Sequence, residues 1–152
     1  MINHIWSLIC KDTTVDKNNT LSIVDQYDEL TFTLNSEDKN YKKGSALVAP
    51  FSFTIVSLFF RDEKGKKAEM KESVNVLDPA GVKLGEFESS IIFEEKHSRM
   101  RNIMNVESIG LTTSGTYLFL VSYTTKEQPN TKRQVVSIPI DIIVNVNGEK
   151  VE

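Results

Sequence analysis

Residues 51–60 read FSFTIVSLFF, and this stretch decides the fold class. In its first half, large apolar residues alternate with smaller ones: Phe51, Phe53 and Ile55 against Ser52, Thr54 and Val56. A period of two with β-branched and aromatic residues predicts a β-strand. Residues 58–60 then form an unbroken apolar run, Leu-Phe-Phe, so we expect this strand to be covered on both faces.

The next segments continue the strand pattern. Residues 61–66 are polar and contain Gly65, which is typical of a hairpin connection. In the strand that follows, the positions predicted to face the core, its dry face, are Ala68, Met70, Val74 and Val76. The positions predicted to face solvent, its wet face, are Lys67, Glu69, Lys71, Ser73 and Asn75. Asp78-Pro79-Ala80-Gly81 then predicts a turn, because Pro presets φ and Gly accepts positive φ.

Four further strands are predicted in the second half of the chain. They cover residues 87–93, 100–106, 116–124 and 136–146. The segment 116–124 is apolar on both parities, as expected of a second central strand. The segment 136–146 has one dry face, and Pro139 within it cannot donate a ladder hydrogen bond. We therefore expect that strand to lie at an edge or to carry a bulge at the proline.

The first third of the chain is less regular. We predict strands over residues 2–10, 21–24 and 30–34, and a polar loop over residues 11–19. Residues 25–29 could hold a single helical turn. The charged segment Asn35 to Gly44 is expected to be the most mobile loop.

Eight or nine strands at roughly ten-residue spacing, without alternating helices, predict an all-β fold. Because several strands have one wet face, we expect an antiparallel β-sandwich, immunoglobulin-like or C2-like, rather than a barrel. The chain has 152 residues, of which 39% are hydrophobic and 26% charged, so we expect residues 1–152 to form a single ordered domain.

The segment Ser114-Gly115-Thr116-Tyr117-Leu118-Phe119 resembles the immunoglobulin-type strand-F pattern. The resemblance implies that Tyr117 forms a tyrosine corner, with its hydroxyl bonded to the backbone of the preceding turn. Phe119 would stand where that family has its second cysteine. The chain departs from the pattern because it has no cysteine pair and its Trp6 lies in the first strand. The resemblance therefore implies architecture and not membership of the family.

A second resemblance begins with Trp6-Ser7-x-x-Cys10 and continues through Asp16 and Asn18-Asn19-Thr20-Leu21-Ser22-Ile23 to the Ser114-Gly115-Thr116-Tyr117 segment. In these residues the chain is similar to a family of uncharacterised small bacterial all-β proteins. The resemblance implies a bacterial origin and no known activity.

Charge argues against nucleic-acid binding. The net charge is -3, whereas nucleic-acid recognition normally needs a concentrated basic face. The densest basic cluster is Lys64, Lys66 and Lys67, and it alternates with acidic residues. We interpret it as a solvated hairpin tip, with a phosphate- or membrane-binding patch as the alternative.

The single cysteine, Cys10, excludes an intrachain disulfide and suits a reducing compartment. The first residues lack a basic n-region and a small-residue cleavage site, and no window is apolar enough for a membrane span. We therefore expect a cytoplasmic protein. Asn18-Asn19-Thr20 has the form of a glycosylation acceptor, and we interpret it as a turn.

No metal centre or catalytic dyad is expected. A zinc site needs three or four ligands, and the chain offers only Cys10, His4 and His97 as nitrogen or sulfur candidates. A Cys10–histidine dyad is the alternative to a buried thiol. Because Cys10 alternates in register with Trp6 and Leu8, the buried thiol is favoured.

Acidic residues near the second strand suggest the one alternative ligand site. They are Asp12, Asp16, Asp25 and Asp28. Calcium-binding sandwiches gather carboxylates on adjacent loops, because calcium takes six or more oxygens. Here the spacing matches no ordered loop pattern, and Lys11 and Lys17 partly neutralise the charge. Solvated loop acids are therefore favoured over a calcium site.

Glu88, Glu94 and Glu95 are interpreted as the wet side of a strand, since a catalytic carboxylate pair would need a cleft. No nucleotide, zinc-protease or hydrolase motif is present. Four aromatic residues are left without a certain core position: Trp6, Tyr27, Tyr41 and Tyr123. Packing is the favoured interpretation, and a binding hot spot is the alternative.

The sequence therefore predicts a non-catalytic binding or scaffolding module, with no catalytic, cofactor-binding or metal residues and no cofactor. A calcium- or carbohydrate-dependent ligand-binding domain is the alternative, and an enzyme is a distant third. The expected partner is an unknown protein or a second copy, paired through an edge strand. The segment Asn145-Val146-Asn147-Gly148 is the predicted edge for such pairing.

Overall fold

The computed structural model describes residues 1–37 and 41–152. The described chain is all-β, with two sheets packed face to face, so the predicted β-sandwich is confirmed. Residues 38–40 of the predicted mobile loop lie outside the described residues. Within the described ranges, no helix is long and apolar enough to cross a membrane.

The described residues form ten strands, where eight or nine were expected. They are β1 (Ile2–Val15), β2 (Leu21–Gln26), β3 (Glu29–Leu34), β4 (Leu47–Arg61), β5 (Ala68–Leu77), β6 (Lys83–Phe93), β7 (Arg99–Leu111), β8 (Gly115–Thr125), β9 (Gln128–Val146) and β10 (Glu149–Lys150).

The first sheet has the strand order β2-β1-β4-β7, and the second has β10-β9-β8-β5-β6, with β3 paired to β9. All pairs are antiparallel except β3 with β9, which is parallel. The two segments predicted to be covered on both faces become β4 and β8. Each is an interior strand of its sheet, one in the first and one in the second.

The predicted polar loop over residues 11–19 is wrong for its first part. Residues 11–15 continue β1 and pair with β2, with Thr13 opposite Ile23 and Val15 opposite Leu21. The pairing with β2 therefore continues the strand through polar and mostly exposed residues. No helical turn forms over residues 25–29, where Asp25 instead takes a positive φ of 49°.

The tyrosine corner implied by the strand-F resemblance is present. The hydroxyl of Tyr117 donates to the carbonyl of Thr113 at 2.7 Å and accepts the amide of Thr112 at 2.9 Å. Tyr117 is fully buried, and Phe119 packs in the core beside it. This corner fixes the turn between β7 and β8.

The open edge of the second sheet lies along the first part of β9. β8 pairs with one side of β9 as far as Ile142, and β3 pairs with the other side only over 141–146. Residues 128–139 therefore have no strand partner on that second side within the described chain. The amide of Asp141 donates to the carbonyl of Asp28, on the side of β9 where β3 lies. Pro139 is two residues earlier in the strand, so its nitrogen points to the same side, which has no strand partner at that position among the described residues. The predicted edge position of Pro139 is confirmed.

The segment Asn145–Gly148 does not form a free edge. Asn145 and Val146 pair with β3 on one side and with β10 on the other. Asn147 and Gly148 both have positive φ, 53° and 81°, as a two-residue hairpin turn of the Asn-Gly type requires. The predicted pairing through this segment would therefore have to displace strands of the same molecule.

The β1–β2 hairpin, residues 11–26, reaches across the outside of the first sheet. Arg101 on β7 donates to the carbonyl of Asn19 at the hairpin tip, at 3.3 Å. Since β4 separates β1 from β7, the hairpin must cross β4 to make this contact. The buried apolar side chains between the sheets form two clusters, a larger one that includes Phe53 and Phe119 and a smaller one that includes Phe59 and Phe93. Val56 on β4 and Cys10 on β1 are fully buried yet belong to neither of these core clusters. We therefore assign both to the outward face beneath the hairpin.

Candidate functional site

In the described part of the chain, a cavity with a volume of about 710 Å³ opens at one end of the sandwich. We call it the end cavity. It lies where β1 begins, β4 ends, β5 begins and the β8–β9 turn closes. Its apolar floor includes Ile2 and Ala68. Five basic residues line it: Arg61, Lys64, Lys66, Lys67 and Arg133. Glu63 and Glu127 are its acidic residues.

Arg61 shapes one wall of the end cavity. Its side chain is only 4% exposed, and its guanidinium lies over the ring of Phe93, 5.5 Å from the centroid. The guanidinium donates to three backbone carbonyls, those of His97, Lys66 and Glu94. These bonds tie the lysine-bearing β4–β5 turn to the β6–β7 turn. The amide of Gly65 adds a bond to the carbonyl of Glu95 at 3.0 Å.

A second polar feature lies inside the sandwich, and we call it the polar layer. It consists of His4, Ser7, Ser57, Glu72, Ser89 and Asn102. Ser7, Ser57 and Asn102 face one another in register across β1, β4 and β7. Glu72 and Ser89 are paired in the second sheet.

Glu72 is the centre of the polar layer. It is 1% exposed, and its two carboxyl oxygens accept from Ser57 and from the amide of Asn102. Ser89 donates in turn to Asn102 at 3.1 Å. Burial raises the pKa of Glu72, and the hydrogen bonds from Asn102 and Ser57 offset part of that rise.

A chain of hydrogen bonds connects Glu72 to His4. Nε2 of His4 lies 2.7 Å from the hydroxyl of Ser7, which lies 2.7 Å from the hydroxyl of Ser57. Each hydroxyl has one proton. When Glu72 is ionised, Ser57 donates to it, Ser7 donates to Ser57, and His4 donates to Ser7. Protonation of Glu72 allows the direction of donation along this chain to reverse.

The centre of the polar layer is buried, at Ser57 and Glu72, while its other four members are half-buried. Burial also lowers the pKa of His4, while a hydrogen bond to the backbone of Trp6 opposes that shift. The hydrogen bonds from Ser57 and Asn102 to Glu72 join the two sheets, and no cavity described in this structure is lined by the polar layer. We therefore treat the end cavity, and not the polar layer, as the candidate ligand site.

The structure does not bring Cys10 together with a histidine. The thiol of Cys10 donates to the carbonyl of Asp12 at 3.4 Å, and burial raises its pKa. His97 lies in the β6–β7 turn, where its carbonyl binds Arg61. Cys10 is a buried free thiol, as we predicted from its register with Trp6 and Leu8.

The four aspartates near β2 do not form a site. Among the described residues, no group of three or more His, Cys, Asp or Glu side chains could hold a metal ion. Asp16 instead caps the hairpin turn, accepting the amides of Asn18 and Thr20 at 2.8 and 2.9 Å. Asp12 accepts the amide of Thr13 at 2.7 Å.

The three glutamates are dispersed over the surface. Glu88 pairs with Lys71 at 2.5 Å, both partly exposed. Glu94 and Glu95 lie in the β6–β7 turn, where their carbonyls bind Arg61 and Gly65.

The uncertain aromatic residues divide between core and surface. Tyr123 is buried in the smaller core cluster and donates to the carbonyl of Ile2 at 2.6 Å. Tyr27 packs against Phe51, with ring centroids 5.7 Å apart. Tyr41 packs against the larger core cluster, and its buried hydroxyl has no hydrogen-bond partner among the described residues. Trp6 is half-buried on β1.

The sequence interpretation missed Glu72 and Arg61. A signal for Glu72 was present, since it falls between Met70 and Val74 on the dry parity of its strand. Arg61 carried no such signal, because it stands at the end of an apolar run where a polar connection was expected.

No family model matches this chain, and no curated protein matches it either. The resemblance to small bacterial all-β proteins therefore stays a prediction.

Proposed function

We propose that this chain is a non-catalytic binding module whose ligand occupies the end cavity. The single observation that carries the proposal is the size and construction of that cavity. Its volume of about 710 Å³ lies within the range of roughly 300–1,000 Å³ typical of small-molecule sites. Its wall is fixed by the buried Arg61, so the site is formed before a ligand arrives.

Preorganisation favours binding because the ligand does not have to order the loop that receives it. A combination of apolar floor and charged rim also suits a ligand site, since apolar area supplies affinity and polar groups supply orientation. The single, buried Cys10 is consistent with a reducing, cytoplasmic setting. A calcium-dependent function has no carboxylate cluster in the described residues to favour it.

The test is a two-dimensional NMR screen of isotope-labelled protein with mixtures of neutral, anionic and cationic fragments. We expect amide shifts to cluster at Ile2, Lys64 to Ala68, and Thr125 to Gln128. The variant Ala68→Phe, which fills the floor of the cavity, should lose those shifts.

The matched control is Val48→Phe, which places the same side chain at a position that is 76% exposed and outside the cavity lining. It should bind as the parent does. Thermal melting of both variants checks that the fold is intact. A screen in which no fragment of any charge moves the cavity amides would overturn the proposal.

A further inference from the structure

We propose that the end cavity binds a small phosphate-bearing anion. This inference rests on the proposed function and adds the chemical class of the ligand. The first observation is the local charge. Five basic and two acidic residues line the cavity, a difference of about three positive charges, while the whole chain has a net charge of -3. Positive charge is thus concentrated at one end of an acidic protein.

The second observation is that Arg61 is a buried cation without a carboxylate partner. All of its described hydrogen bonds go to backbone carbonyls, and no described carboxylate lies within 4.0 Å of its guanidinium. A buried charge is screened less than an exposed one, so its field extends into the adjoining cavity. An anion in the cavity would supply the missing counter-charge at a distance, without direct contact.

The third observation is that other cations on the rim are free to bind. In the described part of the chain, Lys64 and Lys66 make no ion pair within 4.0 Å. Arg133 is held by the neutral side-chain oxygen of Gln128 at 3.0 Å, which orients it without neutralising it. Lys67 is only loosely paired, 3.7 Å from Glu69.

The geometry favours a small molecule over an extended polyanion. The basic residues converge on one concave space, whereas a nucleic acid or a membrane surface requires a longer or flatter basic face. Phosphate is favoured because it offers several oxygens, to the lysines of the β4–β5 turn and to Arg133 on β9, and lysine binds phosphate as a point charge. Glu63 and Glu127 limit the site by repelling anions at part of its rim.

The test uses inorganic pyrophosphate as the probe, with calorimetry and NMR on the full chain. We expect saturable binding with shifts at the cavity amides, weakened as ionic strength rises because the contacts are exposed charge pairs. The double variant K64E/K66E should weaken binding at least ~10-fold, a change of about 1.4 kcal/mol.

The matched control is K11E/K17E, which makes the same charge change at exposed positions of the β1–β2 hairpin. It should alter the affinity less than about two-fold, as a long-range charge effect alone predicts. Both variants replace exposed side chains, and their melting temperatures confirm folding.

Three outcomes would overturn the inference. They are cavity binding by neutral fragments with no response to pyrophosphate, equal weakening in both double variants, and binding to anionic vesicles or single-stranded DNA without pyrophosphate binding. The first outcome leaves the proposed function standing, because the cavity would still take a ligand.

Discussion

Glu72 makes the stability of this sandwich depend on pH. Its carboxyl group is buried between the sheets, and burial raises its pKa above the ordinary value of 4.5. A raised folded-state pKa means that the folded protein holds the proton more tightly than the unfolded chain. The stabilisation is therefore complete below about pH 4.5 and is lost as the pH rises through the folded-state pKa.

The variant Glu72→Gln should remove this loss, because an amide keeps the shape and has no charge to lose or gain. Its oxygen can accept from Asn102, while its NH2 group donates to Ser57, whose hydroxyl then turns toward Ser7. We expect its unfolding free energy, measured by urea denaturation, to exceed that of the parent increasingly as the pH rises from about 4.5. His4 contributes with the opposite sign. Its lowered pKa costs stability as the pH falls below about 6.5, in both proteins. A parent-minus-variant difference that does not change with pH would contradict the role assigned to Glu72.

Arg61 is the other residue on which the fold depends. Replacing it with Met keeps much of its apolar length but leaves three carbonyls without their donor. We expect Arg61→Met to lower the unfolding free energy by about 1–3 kcal/mol, because three part-buried hydrogen bonds from a charged donor are lost while water can replace some of them. Arg99→Met is the control, since Arg99 is exposed. Similar losses in both variants would show that the carbonyl contacts contribute little.

At the scale of the strand, alternation predicted the elements but not the contents of the core. The core-facing residues of β4 include, in order, Ile55, Ser57 and Phe59. Those of β7 include Met100, Asn102 and Met104. Each contains one polar residue among apolar ones. In the sequence of one strand alone, such a residue is an exception to the alternation of apolar and polar positions. Only the register of the sheets brings these residues to one level, so the polar layer could not be predicted from any one strand.

The β7–β8 turn shows the opposite case, in which a short sequence was sufficient. The corner needs Tyr117 and a residue that tolerates close backbone approach at position 115. Gly115 has a φ of 145°, and a Cβ there would lie 2.8 Å from Cγ of Pro79. The contacts of Tyr117 are local, so the sequence alone contains them, whereas the contact of position 115 with Pro79 depends on the fold.

The variant Tyr117→Phe should therefore destabilise the fold by about 1–3 kcal/mol, because it leaves Thr113 without a donor and Thr112 without an acceptor. Tyr123→Phe is the comparison. It removes a single bond to the carbonyl of Ile2 near the start of the chain, so its effect should be smaller. Chemical denaturation of both variants decides the order, and a larger loss for Tyr123→Phe would contradict the assignment of the corner.

At the scale of the whole molecule, the polar layer divides the interior into two apolar clusters of unequal size. The smaller one contains Phe59, Phe93 and Tyr123 and adjoins the end cavity through Ile2. The larger one contains the tyrosine corner. The end cavity is thus separated from most of the core by a layer of directional hydrogen bonds. Small changes in the cavity wall should therefore leave the larger cluster undisturbed.

The open edge of β9 is the place in the described chain where a second copy would add a strand. Three features oppose strand addition along residues 128–139: Pro139 faces the open side, the register shifts near Val135, and Lys132 and Arg133 bring charge. Natural sheets protect their edges with such prolines, bulges and charges. We therefore expect the parent to remain monomeric over a wide concentration range in light scattering.

Removing the protection should expose the edge. The double variant Lys132→Thr and Pro139→Thr restores an amide donor at 139 and removes one charge. It gives up only the surface ion pair of Lys132 with Glu86, 3.3 Å apart, which contributes at most about 1 kcal/mol. We expect this variant to self-associate with increasing concentration, because the freed backbone groups can pair with a second copy. A parent that is already dimeric would show instead that the open edge serves self-association.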